Sequence, residues 1–436
     1  MKIALINHGC AKNLVDSELM AGMLAERGHR ITLDETKADL VLINTCSFIH
    51  DAEQESVQSI VKMISEGKKV IVAGCLPQKH KKNLEKALPE VKAFLGTSDL
   101  NKIVEIVEKV AREEQIYDVS SNPLYSYPEN AERQQITVGS YSYLKISEGC
   151  DCECGYCIIP KLRGKAVSRP IENIVAEAEK LTTKGVTEII LIAQDTTAYG
   201  KDLYGEPSLA RLLKELTKIK DLGRIRIMYT YPSGITDELL DVIAQSDKIF
   251  NYIDIPLQHS SPSVLKSMRR PAFDYRELIA KIREKIPNVA IRTTFIVGYP
   301  NETEEDFEHL KRFIEEIQFD RMGVFEYSLE KGTYSYDLPN RVPAKIKHRR
   351  KNQLMKIQQK ISKKINEDLI GKRVECIVEY TTDDGVITAR TYKDAPEVDG
   401  LIYLKSRNED DTVIPGDIVV ATVTNADNYD LYGEIN

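Results

Sequence analysis

The chain has 436 residues, 42% of them apolar, enough to build two or three hydrophobic cores. Its net charge of -7 excludes a general polyanion binder, so any nucleic-acid role needs a local basic surface. The opening MKIALINHGCAKN has no signal-type apolar stretch and no later run reaches membrane length, which points to a cytoplasmic protein without membrane association.

Residues 3–7, 40–44 and 70–73 are short β-rich apolar runs separated by helical patterns at 15–27 and 51–66, which predicts a parallel α/β sheet. A strand near 93–95 and a helix over 100–112 complete this first domain, 1–120. Cys10, Cys46 and Cys75 each stand just beyond a strand, and strand ends on one edge of an open sheet converge on one ligand. The alternative is three cysteines that simply pack at that edge. Eight cysteines are too few for a disulfide scaffold and suit thiolates kept reduced for metal.

A Pro, Ser, Tyr and Asn-rich stretch at 120–135 reads as a linker. From Tyr141 onward, strand candidates at 143–146, 188–193, 225–229, 251–255, 289–297 and 321–327 alternate with helices at 170–184, 208–220, 236–246, 274–286 and 303–316. Six such units predict a partial (β/α) barrel in a domain spanning 136–369. A Lys-rich helical stretch covers 345–369, and short alternating strands from 370 to 436 predict a small antiparallel β-barrel.

The sharpest motif is Cys150, Cys154 and Cys157 in GCDCECGYC. Three soft thiolates leave one iron of a 4Fe-4S cluster open to a reactive ligand, which points to a redox enzyme. Zinc is the rival, with Cys152 or a distant residue as fourth ligand. Cys152 is taken as a bystander, and Cys376 as a core residue of a strand.

Polar residues cluster at other strand ends. Gln194, Asp195 and Thr196 follow one strand, where they face a barrel mouth or form an ordinary Asx or Thr turn. Asp254, Gln258 and His259 follow another, and His259 is taken to close a hydrogen-bond network, without a proton-transfer role. Arg292 offers a fork for a carboxylate of a cofactor or of the protein. Beyond it, Asn301 tolerates a left-handed turn, and Thr303 with Asp306 caps a helix.

With the cysteine sets, RTTFIVGYPNETEEDF at 292–307 and the terminal barrel together, the chain resembles the methylthiotransferase branch of the radical S-adenosylmethionine enzymes over nearly its whole length. The resemblance implies two 4Fe-4S clusters, a radical cluster on Cys150, Cys154 and Cys157 and an auxiliary sulfur-handling cluster on Cys10, Cys46 and Cys75. It places Gln194, Asp195 and Thr196 beside S-adenosylmethionine, with Asp254 and Arg292 as further candidates for cofactor binding. It implies a TRAM-type terminal domain. One cofactor molecule methylates sulfur, and a second is reductively cleaved to a radical that removes hydrogen from the substrate carbon. Flavodoxin or ferredoxin is implied as electron donor.

Two branches of the family compete. Residues 371–436 hold six Lys or Arg against fourteen Asp or Glu, a balance that favours a basic protein over phosphates. FEYSLEKGTYSY at 325–336 and TYKDAPEVDG also resemble the branch that modifies an aspartate β-carbon of ribosomal protein uS12, free or within the small subunit. A transfer RNA adenosine methylthiotransferase is the alternative, and a non-enzymatic metal-containing binding module comes third.

Overall fold

The computed structural model describes residues 1–128, 132–136, 139–382, 385–405 and 413–435. Asp383, Asp384, Arg407, Glu409, Asp410 and Asp411, all counted in the charge of the terminal domain, lie outside the described residues, as does 129–131 of the linker. The chain forms two compact units. The first is discontinuous, assembled from Met1–Thr137, Ser147–Arg169 and Ser328–Tyr336.

In the first unit, β1 (Lys2–Asn7), β2 (Arg30–Thr32), β3 (Leu40–Thr45), β4 (Lys69–Gly74), β5 (Ala93–Leu95) and β6 (Ile116–Asp118) form a parallel sheet in the order β2-β1-β3-β4-β5-β6. Every residue of β3 is buried, as a central strand covered on both faces demands. The helices are α1 (Ala11–Glu26), α2 (His50–Ser65), α3 (Cys75–His80), α4 (Lys82–Ala87) and α5 (Ile103–Ala111). Instead of hanging loose, the described part of the 120–135 segment is strapped to α1. Arg133 pairs with the fully buried Glu18, whose backbone and side-chain oxygens also accept from the Gln134 and Ile136 N–H groups.

After β7 (Tyr141–Lys145), which belongs to the second unit, the chain returns to the first as β8 (Ser147–Glu148), α6 (Ile159–Arg163) and β9 (Val167–Ser168). The third segment is held by Lys79 to Glu330 at 2.8 Å and by the Ser335 N–H on the Gly155 carbonyl, also at 2.8 Å.

The second unit carries six parallel strands of a partial barrel, paired as β11-β10-β7 and β12-β13-β14. They are β7, β10 (Glu188–Ile192), β11 (Arg224–Ile227), β12 (Tyr252–Asp254), β13 (Ala290–Val297) and β14 (Arg321–Glu326). Between them run α7 (Ile171–Thr183), α8 (Lys201–Tyr204), α9 (Leu209–Leu216), α10 (Asp237–Gln245), α11 (Pro262–Ser267), α12 (Tyr275–Lys285) and α13 (Glu304–Ile317). Strand and helix side chains share one continuous apolar core. The helix α14 (Ala344–Glu367) leads to β15 (Arg373–Thr381), β16 (Ile387–Thr391), β17 (Ile402–Lys405), β18 (Ile418–Ala426) and β19 (Leu431–Ile435), a closed barrel with Cys376 in its core. Among the described residues no helix is long and apolar enough to cross a membrane.

Ion pairs, most of them buried, join this terminal barrel to the parallel strands. Glu188, fully buried, accepts from Arg226 and Arg390 at 2.6 Å each, and Arg321 holds Asp394. Arg224 holds Glu375, and Arg390 also holds Glu379. Several carboxylates counted as an acidic surface are therefore internal partners of arginines, because each cation brought into this seam requires a charge to face it. The charge argument for a basic protein partner is correspondingly weaker than the sequence balance suggests.

Replacing Glu188 by Gln leaves the buried Arg226 guanidinium without a carboxylate and Arg390 with Glu379 alone. We expect a loss of about 3–5 kcal/mol in the stability of this unit, read as a fall in the urea midpoint. His259 tests burial differently. It is fully buried, its Nδ1 accepts from the Ser261 N–H at 2.9 Å, and burial pushes its imidazole down to about 3. The unfolded imidazole binds its proton near 6.5, so the stability tied to the neutral ring is complete above that pH and is lost as pH falls toward 3. In His259→Asn, the acid-side slope of stability against pH between 6 and 4 should flatten by up to about 1.4 kcal/mol per pH unit.

Candidate functional site

The three N-terminal cysteines follow β1, β3 and β4, which are neighbours in the sheet. Asn7 pairs with Asn44 and Thr45 with Gly74, so these strands end nearly level. Cys10 caps α1, Cys46 follows Thr45, and Cys75 opens α3. Two glycines make the approach possible. Gly9 has φ +101°, and a Cβ there would lie 2.8 Å from Cys46 Cβ; Gly74 has φ +96°, and a Cβ there would meet the Thr45 carbonyl oxygen at 2.7 Å.

The thiols sense one another. Burial pushes Cys46 up to about 12, with Cys75 and Cys10 adding to the rise. Burial also raises Cys75, against the lowering pull of Arg163. A metal bound here would have to displace those protons, and soft sulfur donors beside a fixed cation suit an anionic iron-sulfur group. Among the described residues, no three Cys, His, Asp or Glu side chains gather as ligands of a single ion do.

The second cysteine set belongs to the same unit. Its loop folds on itself, with the Cys157 N–H on the Cys154 carbonyl at 3.0 Å and the Cys150 N–H on the Gly164 carbonyl at 3.1 Å. The Cys152 N–H lies 3.4 Å from Cys150 Sγ. Residue 152 thus contributes a backbone donor to the sulfur of Cys150. Ile158 and Leu162, just past Cys157, pack on Cys75.

Arg163 joins the two sets. Its buried guanidinium donates to Asp16 at 3.1 Å, to Glu148 at 2.9 Å, to the Asn13 side-chain oxygen and to Cys75 Sγ at 3.7 Å. Asn13 in turn donates to the carbonyls of His8 and Thr45, the residues that lead into Cys10 and Cys46. The sequence reading passed over Arg163, since nothing local marks an arginine in PKLRG as the partner of residues more than a hundred positions away.

In the second unit, the predicted polar residues meet at the C-terminal ends of β10, β11 and β12. The Asp195 carboxylate accepts from the Thr197 and Ala198 N–H groups and the Thr197 hydroxyl, an Asx turn, while burial raises its pKa. Thr196 donates its hydroxyl to the Met228 carbonyl at 2.9 Å. Its N–H reaches the carbonyl of Tyr229, a residue held at φ +62°. The Tyr229 N–H in turn binds Asp254 at 2.8 Å. The Asx turn therefore accounts for these bonds of Asp195, whereas Thr196 bonds across to the residues that follow β11, and Gln194 precedes both on the same loop.

Arg292 lies on the third residue of β13 and donates to Asp254 at 2.9 Å and Asp399 at 3.3 Å. Of the two partners left open for its fork, the structure supplies carboxylates of the protein itself. Asp399 also accepts from the Tyr252 hydroxyl and the Ala395 N–H. Asn301 takes φ +68° as its side chain allows, and Thr303 with Asp306 forms a capping box on α13. Between them, Glu302 accepts from the Gly298 and Tyr299 N–H groups and from Arg350, closing the loop after β13. Burial carries its carboxyl up to about 7, against the pull of Arg350.

Family models match in the order of the three domains: Uncharacterized protein family UPF0004 over residues 2–96, the Radical SAM superfamily over 144–314 and the TRAM domain over 370–435. A "Ribosomal protein uS12 methylthiotransferase RimO" of Caldanaerobacter subterraneus is 48% identical over 99% of this chain and 99% of its own length. Its namesake in Crocosphaera subtropica is 45% identical over 99% and 98%. Among solved structures, the radical S-adenosylmethionine methyltransferase TsrM of Kitasatospora setae aligns with a TM-score of 0.56 at 12% identity, covering 85% of this chain and 79% of that one, a likeness of fold alone. With full-length relatives at this identity and all three domain models in register, the chain belongs to the RimO family of radical S-adenosylmethionine methylthiotransferases.

Proposed function

We propose that this enzyme adds a methylthio group to the β-carbon of an aspartate of ribosomal protein uS12. The observation that carries the reading is identity of 45–48% along essentially the whole chain with enzymes named for that substrate. We assign the cluster domain to 1–120, the radical domain to 136–369 and the TRAM domain to 370–436. Cys150, Cys154 and Cys157 hold one 4Fe-4S cluster, and Cys10, Cys46 and Cys75 hold a second. When bound, the clusters and S-adenosylmethionine supply one-electron reductive cleavage and the methyl group and sulfur to be transferred.

The protein's own groups do the positioning. Arg163 places a positive charge against Cys75 and offsets part of the negative charge of its thiolate. The Cys152 N–H does the same for Cys150 through a hydrogen bond. Gln194, Asp195 and Thr196 line the cofactor position, while Arg292 orients Asp254, which holds the left-handed turn at Tyr229 beside it. Flavodoxin or ferredoxin supplies electrons.

Parallel anaerobic reactions on uS12 and on transfer RNA, read by mass spectrometry, test the assignment. We expect a methylthio mass increase on one uS12 aspartate. The same increase on transfer RNA and not on uS12 would move the enzyme to the other branch of the family. Cys75→Ala should lose the iron and sulfide of one cluster and abolish transfer while still cleaving S-adenosylmethionine. Cys154→Ala should lose the other cluster and all cleavage. Iron analysis and product chromatography separate the two.

A further inference from the structure

The helix α14 contains nine Lys or Arg residues against Glu367 as its single acid, in a chain whose net charge is -7. Its inward face is occupied by the fold. Leu354 lies in the barrel core with Met355, Ile357 and Ile361 packed against it, Arg350 binds Glu302, and Gln358 donates to the Phe319 carbonyl. Its outward face is a run of Lys345, His348, Arg349, Lys356, Lys360, Lys363 and Lys364, relieved only by Asn352, Gln353 and Glu367. Arg349 is paired with Glu304 and Lys363 with Glu367, whereas no ion pair among the described residues engages Lys356, Lys360 or Lys364. Those three recur at four-residue intervals, about 6 Å apart along a helix about 36 Å long.

We propose that this face of α14 binds the phosphate backbone of structured RNA and brings the enzyme to uS12 in the assembled small ribosomal subunit, a step that rests on the substrate assigned above. Like charges at this spacing repel one another, and a partner carrying a line of negative charge relieves that repulsion while releasing counterions. The exposed face has no aromatic or large apolar side chain. It therefore lacks both the stacking platform of a single-strand binder and the apolar anchor around which protein interfaces form. Lysines are also depleted in protein–protein interfaces. A membrane surface would need an apolar helix face, and that of α14 is spent in the core. Backbone contact without base reading remains, and A-form RNA presents phosphates and hydroxyls to such a surface.

The test uses the full-length enzyme and a variant carrying Lys356→Gln, Lys360→Gln and Lys364→Gln, all exposed sites whose change leaves the core intact. Binding of a 20-base-pair RNA duplex and of intact small ribosomal subunits is followed as salt is raised. Each phosphate neutralised contributes about 0.9 to the slope of log K against log salt in duplex nucleic acid, so the variant's slope should be shallower by about 2 to 3. Its affinity for both probes should fall at least about tenfold at low salt. Turnover of free uS12 should be unchanged, and turnover of uS12 within subunits should drop.

Equal slopes and affinities for enzyme and variant would overturn the proposal. So would intact RNA binding with impaired electron uptake from flavodoxin, which would assign the stripe to an acidic protein. If the unaltered enzyme shows the expected salt slopes but modifies no form of uS12, the substrate assignment fails and the RNA-binding surface stands.

Discussion

One buried guanidinium sets the geometry on which the first unit depends. Arg163 is surrounded by Asp16, Glu148, Asn13 and Cys75, and is 3% exposed. A cation so deep is tolerated only because two carboxylates and an amide oxygen replace its water. In meeting that requirement it ties together α1, the start of α3 and the loop that carries the second cysteine motif. Of the side chains around it, Asn13 also holds the His8 and Thr45 carbonyls that lead into Cys10 and Cys46. Apolar packing of Ile158 and Leu162 on Cys75 reinforces the same join without directing it.

The second unit solves a different problem with the same chemistry. A terminal barrel that met the parallel strands through apolar contacts alone would be free to shift along them. Instead Glu188, Arg226, Arg390, Arg321, Asp394, Arg292 and Asp399 interlock at fixed distances. The line from Asp399 through Arg292 and Asp254 to the Tyr229 backbone runs from the terminal barrel to the strand ends where the polar loops gather. The loop 391–400 thereby becomes part of the scaffold of the parallel barrel as well as a connection within its own.

Much of this was legible in the sequence wherever an apolar run was long enough to declare its period. All six strands of the parallel barrel lie within a few residues of their expected positions, because β-branched runs such as EIILI and AIRTTFIV have no helical reading. That Cys10, Cys46 and Cys75 each follow a strand ending on one edge of the sheet was legible from the order of apolar runs. The edge strands RIT and IYD were missed, being three residues long and only partly buried. Long-range polar pairing was also out of reach. No local pattern tells that Asp399 will face Arg292 across 107 positions or that Arg163 will face Asp16 across 147. For that reason, counting acids in the terminal domain overstated its acidic surface.

The first unit is written in three pieces, the last of them Ser328–Tyr336. An emerging polypeptide can form the N-terminal sheet early, yet Lys79 meets Glu330 and Gly155 meets Ser335 only after residue 336 has left the exit tunnel. The order of synthesis thus defers closure of the cysteine-bearing unit until the whole parallel barrel has been made.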